Sequence, residues 1–326
     1  MVAERTPLVR LVMLVDLIPM PAPPPRGRGR PRVYPDRLFL KALVIMVVRH
    51  LAKVGTLLAV LEQDTAEMRE LRALLSEGGR FPSRRTWERR LAAIPEALPA
   101  QVGLLGRALV WLLNPWRDCG RAAAIDSTTL AALGGVWHRK HRLAGVVPHT
   151  SIDTEAGWTK SGWHGWVYGW KLHLVVAVAA VWIPLAARLT PANRADNEEA
   201  FALLDELPAE VRFLLGDSHY NDPDLRARAE AEGRALVTTR RGRYPHTDGG
   251  VEVRRVFHSL RSHAIENFNE SFKAIFDAHG QVPTRGLVAT RRFALGAVFT
   301  YQILLLHRHL TGGDLRVGLK PLLKAA

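Results

Sequence analysis

Two aspartates follow short apolar runs, in Ala124-Ile125-Asp126-Ser127 and Leu215-Gly216-Asp217-Ser218. Apolar runs of this length read as buried strands. A carboxylate at the C-terminal end of such a strand emerges at the rim of the sheet, where open α/β sheets place their sites. Taken singly, each Asp is equally a turn former or a helix cap. Two from neighbouring strands would make a hard-oxygen pocket suited to Mg²⁺ or Mn²⁺. A third acid follows in Ile265-Glu266-Asn267-Phe268-Asn269-Glu270-Ser271-Phe272-Lys273. Ile265, Phe268, Phe272, Ile275 and Phe276 form one helical stripe, and Glu266, Glu270 and Lys273 form a second beside it. Glu266 then borders the buried face and can reach the sheet rim. The alternative is an exposed charge stripe, although Glu266 and Glu270 repel at i,i+4. Lys273 offsets part of that repulsion or contacts a phosphate.

These residues require strands and helices in a particular order. The spacing predicts a strand over Ala122–Ile125, then two β-rich runs, Lys171–Val178 and Val181–Leu189, joined tightly at Ala179-Ala180. Further strands are expected over Val211–Gly216 and Ala235–Thr239, with helices over Asn197–Leu207, Pro223–Glu232, Ala264–Phe276 and Leu287–His309. A hairpin followed by alternating strands and helices indicates a mixed α/β sheet covered by helices on its faces. Residues 35–115 read as all-helical. An amphipathic helix around Leu38–Leu51 keeps Lys41 and Arg49 outside, and others cover Val54–Glu62, Thr65–Leu75, Arg84–Ile94 capped by Ser83, and Pro99–Leu113. The organisation expected is a basic Pro/Arg-rich arm (1–34), a helical, helix-turn-helix-like DNA-binding region (35–118), a catalytic domain (119–312) and a C-terminal tail (313–326).

The 326 residues carry 45 Lys+Arg against 31 Asp+Glu, a net charge of +14, which makes nucleic acid the leading partner. At 48% apolar and 23% charged the chain is an ordinary globular one, not a disordered one. The single cysteine, Cys119, excludes a disulfide framework or a Cys-based metal site and points to a reducing, cytoplasmic setting. The start lacks a secretory signal, and the apolar runs are too short or interrupted to span a membrane. Arg28-Gly29-Arg30-Pro31 matches the core of a minor-groove-binding hook, or else is a solvated basic linker. Arg84, Arg85, Arg89 and Arg90 ride on one short helix, where Thr86 and Trp87 could reach base edges; a solvated basic face is the alternative. Tryptophans 158, 163, 166, 170 and 182 lie near Lys160, His164 and Lys171, and could stack on unpaired bases or pack around the hairpin. His138 with His141, and His307 with His309, read as surface histidines. His219 reads as a solvated loop histidine, with a contact to DNA or site water as the alternative.

As a set, Asp126, Asp217 and Glu266 resemble the acidic triad of the DDE transposases of bacterial insertion sequences. The resemblance extends to Gly169-Trp170-Lys171-Leu172-His173, to Thr190–Asn197 and to Gly216-Asp217-Ser218-His219-Tyr220. It covers roughly Ile125 to Phe276. The subgroup it looks like has a tyrosine–arginine–glutamate–lysine signature, and the interval from Glu266 to Lys273 matches it. The Tyr and Arg positions are instead Ser259 and Ser262, with Arg261 one position early. The resemblance implies a ribonuclease-H-like mixed sheet with flanking helices, preceded by the smaller all-helical DNA-binding region. It implies two-metal phosphoryl transfer, with Asp126, Asp217 and Glu266 holding two Mg²⁺ (or Mn²⁺) ions and no covalent protein–DNA intermediate. DNA contacts are expected from Arg28, Arg30, Arg84, Arg85, Arg89, Arg90, Lys171, Arg261 and Lys273. The partners implied are double-stranded DNA, as terminal inverted repeats and target, and a second copy of the chain on DNA, in the bacterial nucleoid. Two rival readings are a nuclease of the same fold that cuts without joining, and a DNA-binding protein derived from a transposase. The intact acidic set counts against the latter.

Overall fold

The computed structural model describes residues 5–22, 33–113, 120–162, 165–238, 248–315 and 318–325. Arg28, Arg30, Cys119, Trp163 and His164 lie outside them.

Six strands form one sheet: β1 (Ala122–Ala131), β2 (Gly157–Ser161), β3 (Gly165–Ala177), β4 (Pro184–Pro191), β5 (Phe213–Gly216) and β6 (Ala235–Thr238). Along residues 170–176, β3 pairs antiparallel with both β1 and β4. On the far side of β1, β5 and then β6 pair in parallel. The order β4-β3-β1-β5-β6 is that of a ribonuclease-H-like sheet, and β2 is an addition that pairs only with the first residues of β3. β3 is buried from Tyr168 onward because it is covered on both faces, so it reads as a continuous apolar run rather than an alternating one. Gly169 is required where β3 meets β1, since a Cβ there would lie 2.1 Å from the Leu130 carbonyl oxygen.

Helices α8 (Asp196–Glu206) and α9 (Pro223–Ala231) carry the chain from β4 to β5 and from β5 to β6. Asp196, Glu198 and Glu199 occupy the first turn of α8, where negative charge complements the helix dipole. Asp222 caps α9, accepting from the amides of Asp224 and Leu225 at 2.9 and 3.0 Å.

The helical front comprises α1 (Pro7–Leu14), α2 (Asp36–Val48), α3 (Val54–Leu61), α4 (Ala66–Leu74), α5 (Arg84–Ala93) and α6 (Leu98–Leu113). A five-residue helix, α7 (Arg139–Leu143), lies between β1 and β2, and α10 (Asp248–Ile275), α11 (Leu287–Leu310) and α12 (Lys320–Ala325) follow the sheet. Helix α11 is buried without interruption from Phe293 to His307, as befits a helix apolar on all sides. It packs between the front helices α1, α2 and α6 and strand β4, so front and sheet share one hydrophobic core. Gln302 ties three elements, its amide donating to the Val102 and Pro184 carbonyls at 2.8 and 2.9 Å.

Several expectations change. The first part of the expected arm is a core helix, α1, with Leu8, Val9, Leu11 and Val12 buried. Helix α2 is buried nearly all round, and Lys41 is not outside: it pairs with Asp16 at 2.8 Å. β1 continues through Asp126 to Ala131 because β3 pairs with it beyond the point where β5 stops. The hairpin turn lies between Ala177 and Pro184, because Val181 and Trp182 pack on the core from a loop. Helix α10 starts well before Ala264: Val256, Phe257 and Leu260 already stand at helical spacing ahead of Ala264, a signal that the expected boundary left out. His307 is buried rather than a surface histidine.

The α6–β4 contact is close: a Cβ on Gly106 would lie 2.2 Å from the Pro184 carbonyl oxygen. Gly106→Ala is expected to lower stability by about 1–3 kcal/mol through overpacking. Urea unfolding should remain one transition, seen alike by tryptophan fluorescence and far-ultraviolet dichroism. Two separate transitions would contradict a shared core.

Candidate active site

The parallel pairing of β1 with β5 ends at Ala124 and Leu215. Asp126 follows on β1, opposite Leu174 of β3, and Asp217 follows the end of β5. The two strands part at this point, and their carboxylates come within electrostatic reach of each other. Each oxygen has local work as well. Asp126 Oδ1 accepts from the Ser127 amide at 2.8 Å. Asp217 caps the turn Ser218–Tyr220, accepting from the His219 amide at 2.7 Å, with His219 Nδ1 2.9 Å from its other oxygen. His219 is thus half of a pair with Asp217, not a solvated loop residue alone. Asp217 is both a turn cap and a rim carboxylate, two readings that compete in the sequence and coexist in the fold.

Helix α10 lies across β1, β3 and β5 with Ile265, Phe268 and Phe272 buried. Its edge presents Glu266, whose side chain is 57% exposed. Arg261 on the same helix is buried, with Nη1 3.5 Å from Asp126 Oδ2 and Nη2 3.2 Å from Glu266 Oε1. One guanidinium therefore joins the strand acid to the helix acid. Burial pushes the Asp126 carboxyl up to about 6; Arg261 and the Ser127 amide pull it down, while Asp217 and Asp196 push it further up.

Beside this pair lies a network that sequence reading did not assemble. Lys171 Nζ is 3.0 Å from Asp196 Oδ2 and donates to the Arg194 carbonyl at 3.1 Å. His173 Nε2 is 2.8 Å from Thr190 Oγ1, and its Nδ1 is 3.5 Å from Asp196 Oδ1. Burial drives the His173 imidazole down to about 4 against the pull of Asp196, so it is neutral. Tyr220 is buried, and burial followed by Asp126, Asp196 and Asp217 raises its phenol. The available signal was Lys171 and His173 at i and i+2 in an otherwise apolar strand. Such residues share one face, and buried they demand a partner.

The remaining expected residues divide. Arg84 pairs with Glu88 at 2.8 Å on an exposed face, and Arg85 and Arg89 are also exposed. Arg90 is engaged internally: it pairs with Asp36, donates to the Tyr34 carbonyl at 3.3 Å and lies over the Phe39 ring. Trp87 is fully buried against Phe39 and Phe81, so it cannot reach a base edge. Lys273 is buried, which lowers its ammonium, with only Glu270 acting against the shift. His138 and His141 stand at the start of α7, outside the core.

Carboxylate oxygens suit a hard divalent cation. Among the described residues no three acids or histidines close around one point, because the Arg261 guanidinium stands between Asp126 and Glu266. The donor chemistry nevertheless fits: Asp126 is a half-buried acid, its side chain 24% exposed, with two further acids raising it and one arginine opposing them. An added cation would offset that excess.

The Asp126 shift has a sign. Its ordinary value is 3.8 and its folded value about 6, so the folded chain holds the proton more tightly. Below pH ~4 the group costs nothing; between pH ~4 and ~6 stability falls as the buried charge forms, and the loss is complete above that. Without metal, Asp126→Asn is expected to stabilise the protein by about 2–3 kcal/mol at pH 8 and to have no effect at pH 4. Urea unfolding in EDTA at both pH values measures this. Equal or lower stability of the variant at pH 8 would refute the assignment.

The family described as Transposase DDE domain matches residues 117–303. Among solved structures, the cryo-EM structure of a piggyBac transposase synaptic complex with hairpin DNA is similar at 9% identity and a TM-score of 0.42, covering 99% of this chain and 79% of that one. The crystal structure of the Mos1 strand transfer complex is similar at 13% identity and a TM-score of 0.29, covering 92% and 76%. No curated protein matches the chain. Membership rests on the domain match, which spans more than half of the sequence and contains Asp126, Asp217 and Glu266. The chain belongs to the DDE transposases, and is a DDE-type enzyme of DNA cleavage and strand transfer.

Proposed function

We propose that Asp126, Asp217 and Glu266 are the catalytic, metal-holding residues of a transposase of the bacterial insertion-sequence type, with a partly degenerate tyrosine–arginine–glutamate–lysine signature. Its substrates are the terminal inverted repeats of its element and a target duplex, met in the bacterial nucleoid. The observation that carries this reading is the link from Asp126 through Arg261 to Glu266, alongside Asp217 at the end of the neighbouring strand.

The three carboxylates would hold two Mg²⁺ or Mn²⁺ ions, which supply charge stabilisation and activation of the attacking oxygen in phosphoryl transfer. Asp126 is ionised above pH ~6 and then carries the charge that binding requires. Arg261 balances Asp126 and Glu266 and keeps the helix acid against the strand acid. Lys171, held by Asp196, and His173, held by Thr190, fix β3 against the start of α8 and so set the depth of the rim. No serine, tyrosine or cysteine nucleophile is needed.

DNA is gripped by exposed cations of the front, Arg84, Arg85 and Arg89, together with Arg28 and Arg30 of the arm. Lys273, expected at a phosphate, is buried and acts from within instead. Arg90 and Lys171 act from within, as positioning residues. The division proposed is an arm (1–34), a DNA-binding region (35–118), a catalytic domain (119–312) and a tail (313–326). Two element ends must be held together, so the working form is a homodimer on DNA.

Labelled DNA carrying the inverted repeats, incubated with Mg²⁺, tests this reading. Asp126→Asn, Asp217→Asn and Glu266→Gln should each reduce nicking by about 10²–10³-fold or more while leaving DNA binding in EDTA intact. Unchanged nicking would sink the assignment, and joined products distinguish a transposase from a nuclease. Arg85→Ala should weaken binding to all sequences alike and lower the salt slope by about 1. An unchanged slope would remove Arg85 from the DNA surface.

A further inference from the structure

The β2–β3 hairpin extends past the end of β1, away from the core and beyond the catalytic rim. Asp126 pairs with Leu174, and Trp166 lies eight residues earlier on the same strand. At ~3.3 Å per residue this separation is about 26 Å. Residues two apart share a face, and directly paired residues share it across strands. Trp166, Tyr168, Lys160 and Trp158 therefore stand on the face that carries Asp126.

Trp166 is 68% exposed, and Lys160, its cross-strand partner, is exposed beside it. Trp158 meets Trp166 edge-on at 6.5 Å between ring centres and backs onto buried Tyr168 at 5.2 Å. The polar atoms of the supporting rings are satisfied within the protein. Trp158 Nε1 donates to the Trp137 carbonyl at 2.8 Å, Trp137 Nε1 to the Val146 carbonyl at 2.8 Å, and the Tyr168 hydroxyl to the Asp153 carbonyl. These bonds pin the segment carrying α7 against the hairpin. The outermost indole, Trp166, remains mostly exposed.

Charge points the same way. Helix α7 exposes Arg139, Lys140 and Arg142. The acids of the same segment turn elsewhere: Asp153 accepts from the Gly286 amide at 2.7 Å and Glu155 from the Leu287 amide at 3.0 Å. A supported indole face beside cations suits a polyanion whose units carry flat apolar rings. In a duplex the base faces are hidden by stacking; in an unpaired strand they are free.

We propose that this hairpin and α7 form a second DNA-contact surface, which stacks an unpaired base on Trp166 and holds the adjoining phosphates with Lys160, Arg139, Lys140 and Arg142. The proposal rests on the rim at Asp126 being the reaction centre, for it sets the register. A strand leaving that centre along this face reaches Trp166 after about 26 Å.

The test uses the full chain in EDTA, so that binding is read without cleavage. Fluorescence anisotropy measures affinity for a 30-nucleotide single strand and for the matching duplex. Trp166→Ala should weaken single-strand binding about tenfold, leave duplex binding within about twofold, and leave the melting temperature unchanged. Trp166→Phe should restore part of the loss, since a phenyl ring also stacks. Lys140→Ala should lower the single-strand salt slope by about 0.7. Unaltered single-strand affinity in Trp166→Ala would overturn the proposal. So would an equal loss on duplex, or a change in self-association with none in DNA affinity, which would mark the surface as a protein interface. The catalytic reading fails by a different result, nicking that survives Asp126→Asn, so the two failures are distinguishable.

Discussion

Asp126 is a carboxylate on a largely buried strand, and much of the surrounding structure answers to that charge. Burial raises its proton affinity, and Asp217 and Asp196 raise it again. The compensation is local and incomplete: one amide from Ser127 and one guanidinium from Arg261, itself buried. Arg261 in turn needs more than one acid to justify its own desolvation, and Glu266 supplies the second. The strand acid, the helix acid and the arginine thereby form one electrostatic unit. On the proposed reading, this arrangement keeps an unfavourable negative charge where a divalent cation would bind, and the stability given up there serves function.

A unit of this kind needs a rigid frame, and the frame is made by α11 as much as by the sheet. Helix α11 is buried all along its middle, with the front helices on one side and β4 on another. Gln302 and the close approach at Gly106 lock α6, α11 and the start of β4 together. Motion of the front helices relative to the rim is therefore limited by a common core. The Lys171–Asp196 pair performs the same task on a smaller scale, fastening the central strand to the first crossover helix.

The legible part of the fold was the part written in local periods. The cap at Ser83, the helix boundaries near Leu98–Leu113 and Leu287–Leu310, and the apolar stripe from Ile265 to Phe276 follow from spacing and agree with the structure. Where sequence reading went astray, a distant partner had overridden the local signal. Lys41 looked solvent-facing until Asp16 met it. Trp87 looked like a base reader on a basic helix, but Phe39 and Phe81 enclose it. β1 looked four residues long because its continuation past Asp126 is polar, and only pairing with β3 keeps it extended.

The chain alone thus settled which residue types were available and in what order: two acids after apolar runs, a third on a helical stripe, and cations gathered in the front. Period and capping depend on neighbours within a turn or two of chain, so they survive in the sequence. Which charges meet was settled only in three dimensions. Lys171 finds Asp196 across 25 residues, and Arg261 finds Asp126 across 135. Desolvation and ion pairing are set by what lies within a few ångströms in space, and packing alone chooses those neighbours. The same packing turned Arg90 and Lys171 inward and left Trp166 open at the end of its hairpin.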